Sequence, residues 1–299
     1  MVRPTTSIDP QLIDPRSAYP RPPFTRNVAH TEDVDVLEPR PDHGEESYVG
    51  SGRLSGFRTV VTGGDSGIGR AVAVAFAREG ADVVVAYRHE EDDAADTTRL
   101  IEDAGRRGIA VAADVSDEAS CRQLVERAAR EFGAIDVLVN NAAMQRPRDR
   151  IEDITTDDWE QTLRTNISGP FWMCREAVRF MGPGASIINV ASIQAVHPSP
   201  SLLAYATTKG GLVTFSKALS AMLAPRGIRV NVVAPGPVWT PLVATTTDPK
   251  ELAHFGEASA FGRPAQPAEL AGAFVYLASP AATYVTGATI AVTGGDFFS

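Results

Sequence analysis

The sequence predicts an α/β protein with a single doubly wound, seven-stranded parallel sheet, helices on both faces, and an extended N-terminal arm. From Gly56 onward, strand-like and helix-like segments alternate along the chain. Most of the strand-like segments are continuous runs of valine and isoleucine, which is typical of parallel strands buried on both faces. The preceding part is rich in proline and lacks this alternation.

Seven segments rich in β-branched residues are the predicted strands: 58–62, 82–87, 109–112, 135–139, 185–190, 228–233 and 289–292. The segments between them have apolar residues at helical spacing: 68–78, 90–107, 117–131, 159–181, 203–223 and 268–277. Ser116 is placed to cap the third helix. This repetition fills residues 54–299, so we expect one domain there, preceded by an arm over residues 1–53.

The arm contains eight of the 21 prolines and shows no apolar periodicity, so it is expected to be extended or disordered in isolation. Two alternatives follow: a free tail, or a segment that docks on the body or on a neighbouring subunit. Four scattered apolar residues, Ile13, Tyr19, Phe24 and Tyr48, would serve as anchors. We therefore hypothesise that the arm packs across a subunit interface.

Composition excludes several classes of protein. A net charge of −9 argues against a general nucleic-acid binder. There is no apolar run of 18 residues and no apolar N-terminal segment, so neither a membrane span nor a secretory signal is expected. Cys121 and Cys174 are too few for a disulfide framework, and the five histidines lack metal-ligand spacing. We expect a cytoplasmic protein without a metal site.

A glycine cluster, Thr62-Gly-Gly-Asp-Ser-Gly-Ile-Gly69, joins the first predicted strand to the first helix. Glycines let the backbone approach a ligand closely, and the start of a helix presents free N–H groups and positive charge. This context favours a nucleotide phosphate over a plain turn. The glycine spacing differs from the common dinucleotide spacing G-x-G-x-x-G.

Tyr205 and Lys209 are four residues apart and therefore share one face of a predicted helix. The chain has only three lysines among 28 basic residues, so such a pair is unlikely to arise by chance. A nearby cation favours the phenolate form of tyrosine, and we expect the pKa of Tyr205 to be lowered by up to about three units before any cost of burial. Tyr205 would then act as a general acid and base near neutral pH.

These motifs resemble those of the short-chain dehydrogenase/reductase family. The glycine turn resembles T-G-x-x-x-G-x-G, Asn140-Asn-Ala-Ala143 resembles N-N-A-G with alanine for the final glycine, and Tyr205 to Lys209 matches Y-x-x-x-K. Ser192 lies thirteen residues before Tyr205, and Pro235-Gly236 follows the sixth strand. The resemblance covers residues 54–296 and implies a Rossmann-type domain that binds NAD or NADP and assembles as a homotetramer.

The resemblance implies a role for each site residue. Ser192 would bind the substrate oxygen, Tyr205 would exchange its proton, Lys209 would hold the nicotinamide ribose, and Asn166 would support a water molecule in the proton relay. The cofactor would be bound by Gly63, Asp65, Ser66, Gly67, Ile68, Gly69, Arg88, Asp114, Val115, Asn141, Ala142, Tyr205, Lys209, Pro235, Gly236, Val238 and Thr240. For Asn166 the alternative is a structural role, as a helix residue with local hydrogen bonds. For Asp114 the alternative is a structural role as a loop residue or helix cap.

The choice between NAD and NADP stays open. The second strand ends without the aspartate that usually binds the 2′-hydroxyl of NAD, and Arg88 would meet a 2′-phosphate. Asp65 in the glycine turn would repel the same phosphate.

The implied reaction is hydride transfer between a small-molecule alcohol or carbonyl and the nicotinamide. The alternatives are a nicotinamide-binding regulator without turnover, and an epimerase or dehydratase on the same fold. An enoyl reductase would normally show a longer spacing between tyrosine and lysine.

The arm and the glycine turn also resemble a branch named for glucose and ribitol dehydrogenases and general stress proteins. Residues 193–202 and 238–262 would wall the substrate pocket with Gln194, His197, Trp239 and Phe255, the second segment acting as a mobile lid.

Overall fold

The computed structural model describes residues 13–26 and 37–296. The strands are β1 (Thr25–Arg26), β2 (Leu37–Glu38), β3 (Arg58–Thr62), β4 (Asp82–Tyr87), β5 (Gly108–Ala112), β6 (Val137–Asn140), β7 (Ser186–Val190), β8 (Arg229–Pro235) and β9 (Thr289–Val292). The last seven form one parallel sheet in the order β5-β4-β3-β6-β7-β8-β9, and β1 pairs with β2 in a separate antiparallel pair. The predicted seven-stranded parallel sheet is confirmed, with strand ends shifted by at most two residues.

The helices are α1 (Gly67–Arg78), α2 (Glu91–Asp103), α3 (Glu118–Phe132), α4 (Thr156–Leu163), α5 (Gly169–Ala177), α6 (Leu203–Leu223), α7 (Pro241–Thr246), α8 (Pro249–Leu252) and α9 (Pro267–Ala278). Helices α1, α2 and α9 cover one face of the sheet, and α3, α5 and α6 cover the other. Neighbouring strand residues such as Val60 and Val61 belong to opposite cores, which explains why the strands are apolar throughout.

Three helix predictions differ from the structure. The helix predicted over 90–107 ends at Asp103, because Gly105 adopts a positive φ of 74° before β5. The helix predicted over 159–181 begins earlier, at Thr156, and is interrupted by a π-helical turn over Arg164–Ser168. Ser116 does not cap α3: the Asp117 side chain accepts the hydrogen bond from the Ser120 N–H.

The arm docks on its own chain where the structure describes it; the rest of the predicted arm, residues 1–12 and 27–36, lies outside the described residues. Near α1, the buried carboxylate of Glu79 accepts hydrogen bonds from the Tyr48 hydroxyl at 2.7 Å and from the Arg53 guanidinium. Phe24 and Leu37 are also buried, whereas Ile13 is exposed. The alternative of a free tail is therefore wrong for the described part, and packing across a subunit interface stays a prediction.

Candidate active site

The functional cleft opens where the strand order reverses. Strand β3 has β4 on one side and β6 on the other, and ligands of open parallel sheets bind beyond the carboxyl ends of strands at such a point. Two adjoining cavities lie there, of about 390 and 340 Å³. The larger lies over the glycine turn and the ends of β4 and β5, and the smaller lies over β7, α6 and β8. Ile68, Asn141 and Thr240 line both cavities.

The glycine turn is shaped by close backbone packing. A Cβ atom at Gly69 would lie 1.8 Å from the Gly63 carbonyl oxygen, so only glycine is accommodated there. Gly63 and Gly67 have positive φ angles of 60° and 50°. The Asn141 side chain donates to the carbonyl oxygens of Thr62 and Gly63 at 3.0 and 2.9 Å, joining the turn to β6. This glycine cradle at the start of a twelve-residue helix suits a pyrophosphate.

Acidic groups dominate the end of the larger cavity beyond the glycine turn. Asp65 is buried, and burial together with the nearby carboxylates of Glu90 and Asp93 raises its pKa to about 6 despite a hydrogen bond from Ser66. Arg88 is exposed and forms an ion pair with Asp114 at 3.3 Å.

Asp114 is held as a carboxylate. Burial opposes ionisation, but hydrogen bonds from Ser116 and the charge of Arg88 bring the pKa of Asp114 below its usual value. Val115 lines the cavity beside it. The structure thus places Asp65, Arg88, Asp114 and Val115 together. Arg88, the residue predicted to meet a 2′-phosphate, already forms an ion pair with Asp114.

Ser192, Tyr205 and Lys209 meet in the smaller cavity. Ser192 follows β7 and caps a short 3₁₀ turn, where its hydroxyl oxygen accepts from the Gln194 N–H at 3.2 Å. Lys209 lies one helical turn after Tyr205 and is 2% exposed. Its Nζ atom donates to the Val190 carbonyl oxygen at 2.7 Å and lies 5.3 Å from the centre of the Tyr205 ring.

The expected lowering of the Tyr205 pKa is wrong for the chain as described. Burial raises the pKa of Tyr205 to about 12, and the nearby Ser192 side chain, which lowers this pKa, offsets only part of the increase. Burial also lowers the pKa of Lys209 to about 7. The same desolvation that disfavours the phenolate therefore removes part of the positive charge that would stabilise it.

Asn166 lies outside the cavity lining, in the π-helical turn between α4 and α5. It is fully buried, its Oδ1 atom accepts from the Met144 N–H at 2.9 Å, and its Nδ2 atom donates to the Met144 carbonyl oxygen at 2.9 Å and to the Thr208 hydroxyl at 3.1 Å. Such turns are frequent at functional sites. Asn166 thereby ties the chain after β6 to the helix that carries Tyr205.

The remaining predicted residues line the wall formed by β6 and β8. Ala142 lines the larger cavity, and Pro235, Gly236 and Val238 line the smaller one. Gly236 leaves no room for a side chain, because a Cβ atom there would lie 2.6 Å from the Thr293 carbonyl oxygen. Gly69, by contrast, contributes packing of the turn rather than cavity surface.

Two predicted pocket residues lie elsewhere. His197 is exposed and lines neither cavity, and Trp239 is completely buried, with its ring 4.8 Å from that of Phe24. Gln194 and Phe255 do line the smaller cavity. Sequence reasoning missed Gln145, which lines both cavities and donates from Nε2 to the Thr246 hydroxyl at 2.6 Å. Its only signal is its position, four residues after Asn141.

The described residues contain no cluster of three or more side chains suited to a metal ion. Among them, no helix is long and apolar enough to cross a membrane. The glycine cradle and the two joined cavities fit a dinucleotide.

Comparison with known proteins identifies similar chains. Residues 63–296 match a family model described as enoyl-(acyl carrier protein) reductase. General stress protein 39 of Bacillus subtilis (strain 168) is 42% identical over 261 residues, or 87% of this chain and 91% of that protein. Glucose and ribitol dehydrogenase of Daucus carota is 42% identical over 266 residues, or 87% of this chain and 91% of that protein.

A solved structure with a similar fold and sequence points to the same family. A short-chain dehydrogenase from Burkholderia cenocepacia J2315, in complex with NADP, matches with a TM-score of 0.75 and 33% identity, covering 81% of this chain and 98% of that one. Its cofactor agrees with the expectation of NAD or NADP. The fold class and the resemblance that the motifs indicate are confirmed.

Proposed function

Since the chain belongs to the short-chain dehydrogenase/reductase family, we propose that its domain over residues 54–299 interconverts an alcohol and a carbonyl with NAD or NADP. One observation carries the proposal. Ser192 and Tyr205 line the same cavity, which adjoins the glycine cradle, and the buried amine of Lys209 lies one helical turn from Tyr205.

The cofactor would lie along both cavities. The glycine turn and the start of α1 would bind its pyrophosphate, Arg88, Asp114 and Val115 would border its adenosine, and the β6 and β8 wall with Thr240 would contact its nicotinamide end. When bound, it supplies the hydride acceptor or donor.

The chain's own residues handle the proton. Ser192 would hydrogen-bond the reacting oxygen, and Tyr205 would take the proton from an alcohol or give it to a forming alkoxide. Lys209 faces the same ring and, when charged, lowers the cost of the phenolate. Asn166 would keep the loop after β6 in register with α6 through Met144 and Thr208.

Carbonyl chemistry is favoured over reduction of a carbon–carbon double bond, despite the description of the matching family model. The spacing of four between Tyr205 and Lys209 puts both groups on one face of α6. This short spacing is the one that the resemblance links to alcohol and carbonyl substrates.

We propose a neutral, hydroxylated substrate. Apart from Tyr205 and Lys209, the ionisable lining of the smaller cavity within residues 37–296 is Asp296, which would repel acids. Gln194 accepts from the Ser199 N–H at 2.6 Å through Oε1, which leaves its amide N–H groups available. The name of the Daucus carota relative, glucose and ribitol dehydrogenase, supports the same substrate class.

A substrate panel tests the proposal. Absorbance of the reduced cofactor is followed with both cofactors and with sugars, polyols, steroids, small ketones and 2-hydroxy acids. Turnover of neutral polyols or sugars above hydroxy acids is expected. Cofactor binding without turnover of any alcohol or carbonyl would favour a regulator, and conversion without net redox change would favour an epimerase or dehydratase.

Assembly and compartment complete the proposal. We propose a homotetramer, which exposed aromatic side chains such as Phe171 on α5 and Tyr284 before β9 support. A cytoplasmic location is proposed because Cys121 and Cys174 are both buried and unpaired. Light scattering of the purified protein and fractionation of cells that express it would test these two points.

A further inference from the structure

Trp239 connects the arm to the wall of the cleft. Its indole N–H donates to the Pro39 carbonyl oxygen at 2.7 Å, and its ring packs edge-on against Phe24. The residues on either side of it, Val238 and Thr240, line the cavities. The arm therefore fixes a residue whose immediate neighbours form the site.

A small apolar cluster extends this contact along the lid segment, residues 238–262. Leu37 of the arm packs with Ala244 of α7 and Leu252 of α8, all of them buried. Val243 and Phe255 pack against the same cluster and also line the smaller cavity. One layer of side chains thus separates the arm from the substrate space.

A second contact holds the far end of the lid segment. The buried Arg263 guanidinium donates to the Pro15 carbonyl oxygen at 2.9 and 2.7 Å, pairs with Glu269, and lies over the Tyr19 ring. The Tyr19 hydroxyl donates to Asp42 at 2.6 Å.

The backbone of Asp42 then fastens the arm to the start of α9. Its N–H donates to the Gln266 side chain at 2.9 Å, and its carbonyl oxygen accepts from the Ala268 N–H at 3.0 Å. Both ends of the lid segment, near 239 and near 263, are therefore held by the arm.

We propose that the arm is a positioning element for the substrate wall, acting through Trp239. No described residue of the arm lines either cavity, so its effect on the reaction passes through the lid segment. The mobile lid expected from the sequence would then be held in place by a segment about 200 residues earlier in the chain. This inference rests on the proposed function for its kinetic consequences, but not for its structural ones.

The test compares two contacts of the arm in the full-length protein. Phe24→Ala removes packing at the lid, and Trp239→Phe removes the hydrogen bond to Pro39 while keeping an aromatic ring. Tyr48→Phe is the matched control, since it removes one hydrogen bond between the arm and Glu79 at α1, away from the lid. Phe24→Leu tests rescue by an apolar side chain.

The expected result is a three- to tenfold rise in substrate KM for Phe24→Ala and Trp239→Phe, with kcat within about twofold of the parent. Hydrogen exchange of the amides of residues 240–252 should be faster in both variants. Tyr48→Phe should change neither the substrate KM nor the amide exchange of these residues. Phe24→Leu should bring the substrate KM most of the way back to the parent value.

Two outcomes would overturn the proposal: unchanged amide exchange in the lid segment of Phe24→Ala, or the same KM change in Tyr48→Phe as in the lid variants. If no substrate of the panel is turned over, the proposed function fails, and amide exchange alone still decides whether the arm positions the lid.

Discussion

The two walls of the cleft are held in different ways. One wall, called the catalytic wall because it carries the proposed catalytic residues, comes from one contiguous stretch. In it, β7, the Ser192 turn and α6 lie within about 40 residues and contact each other directly. The lid wall is held by the arm, through Phe24 and Pro39. The first wall is specified by local spacing, whereas the second depends on contacts between distant parts of the chain.

The sharpest test of the catalytic wall is Tyr205→Phe. Removal of the proposed proton donor should lower kcat by about 10³-fold or more, as for other general acids and bases. Cofactor Kd, measured by fluorescence titration, should change little. Tyr276→Phe on α9 serves as a control, and turnover that survives in Tyr205→Phe would rule out this residue as the proton donor.

Asn166→Ala tests the support behind the same wall. It removes hydrogen bonds to Met144 and Thr208, each contributing about 1 kcal/mol to folding. We expect kcat to fall by about 10- to 100-fold, because the base of α6 loses its tie to the loop after β6. Thermal unfolding measures the stability change. A kcat equal to that of the parent would limit Asn166 to a structural role.

The sequence predicted which residues meet at the catalytic wall, because Ser192, Tyr205 and Lys209 are related by short spacings along the chain. Tyr205 and Lys209 share a face in any helix, and a serine that follows a buried strand must lie where the carboxyl ends of the parallel strands meet. The pKa of Tyr205 could not be predicted, since it depends on how deeply the pair is buried. The prediction that Trp239 lines the pocket is wrong, because Phe24 and Pro39 cover this side chain. No local sequence pattern shows a contact between residues so far apart in the chain.

Gln145 links the two walls and gives a test between them. Its hydrogen bond to Thr246 joins the loop after β6 to α7. Gln145→Ala should raise substrate KM about three- to tenfold with a smaller effect on kcat, because α7 in the lid segment loses its hydrogen bond to the loop after β6. Gln123→Ala is the matched control, since Gln123 is an exposed residue of α3 that lines neither cavity. Equal kinetics in the two variants would mean that the arm alone holds the lid.

Asp65 gives the smallest expected effect, on cofactor choice. Its pKa of about 6 means that it is largely neutral below pH 6 and charged at pH 8. Charged Asp65 beside Glu90 would repel a 2′-phosphate, while Arg88 is already paired with Asp114. The ratio of the NADP Kd to the NAD Kd should therefore rise a few-fold from pH 5.5 to pH 8.

The phosphate itself gains charge over the same range, so Asp65→Asn isolates the contribution of the carboxyl group. The variant should show a flatter ratio, measured by titration calorimetry. Stability gives an independent check. Because the folded pKa of Asp65 is raised, ionisation opposes folding, and the stability that the group provides below about pH 4 is lost as pH rises through 6. Asp65→Asn should therefore raise the thermal midpoint relative to the parent at pH 8 more than at pH 4. The same pH dependence of the cofactor ratio in both proteins would exclude Asp65 from cofactor choice, even if the stability shift is found.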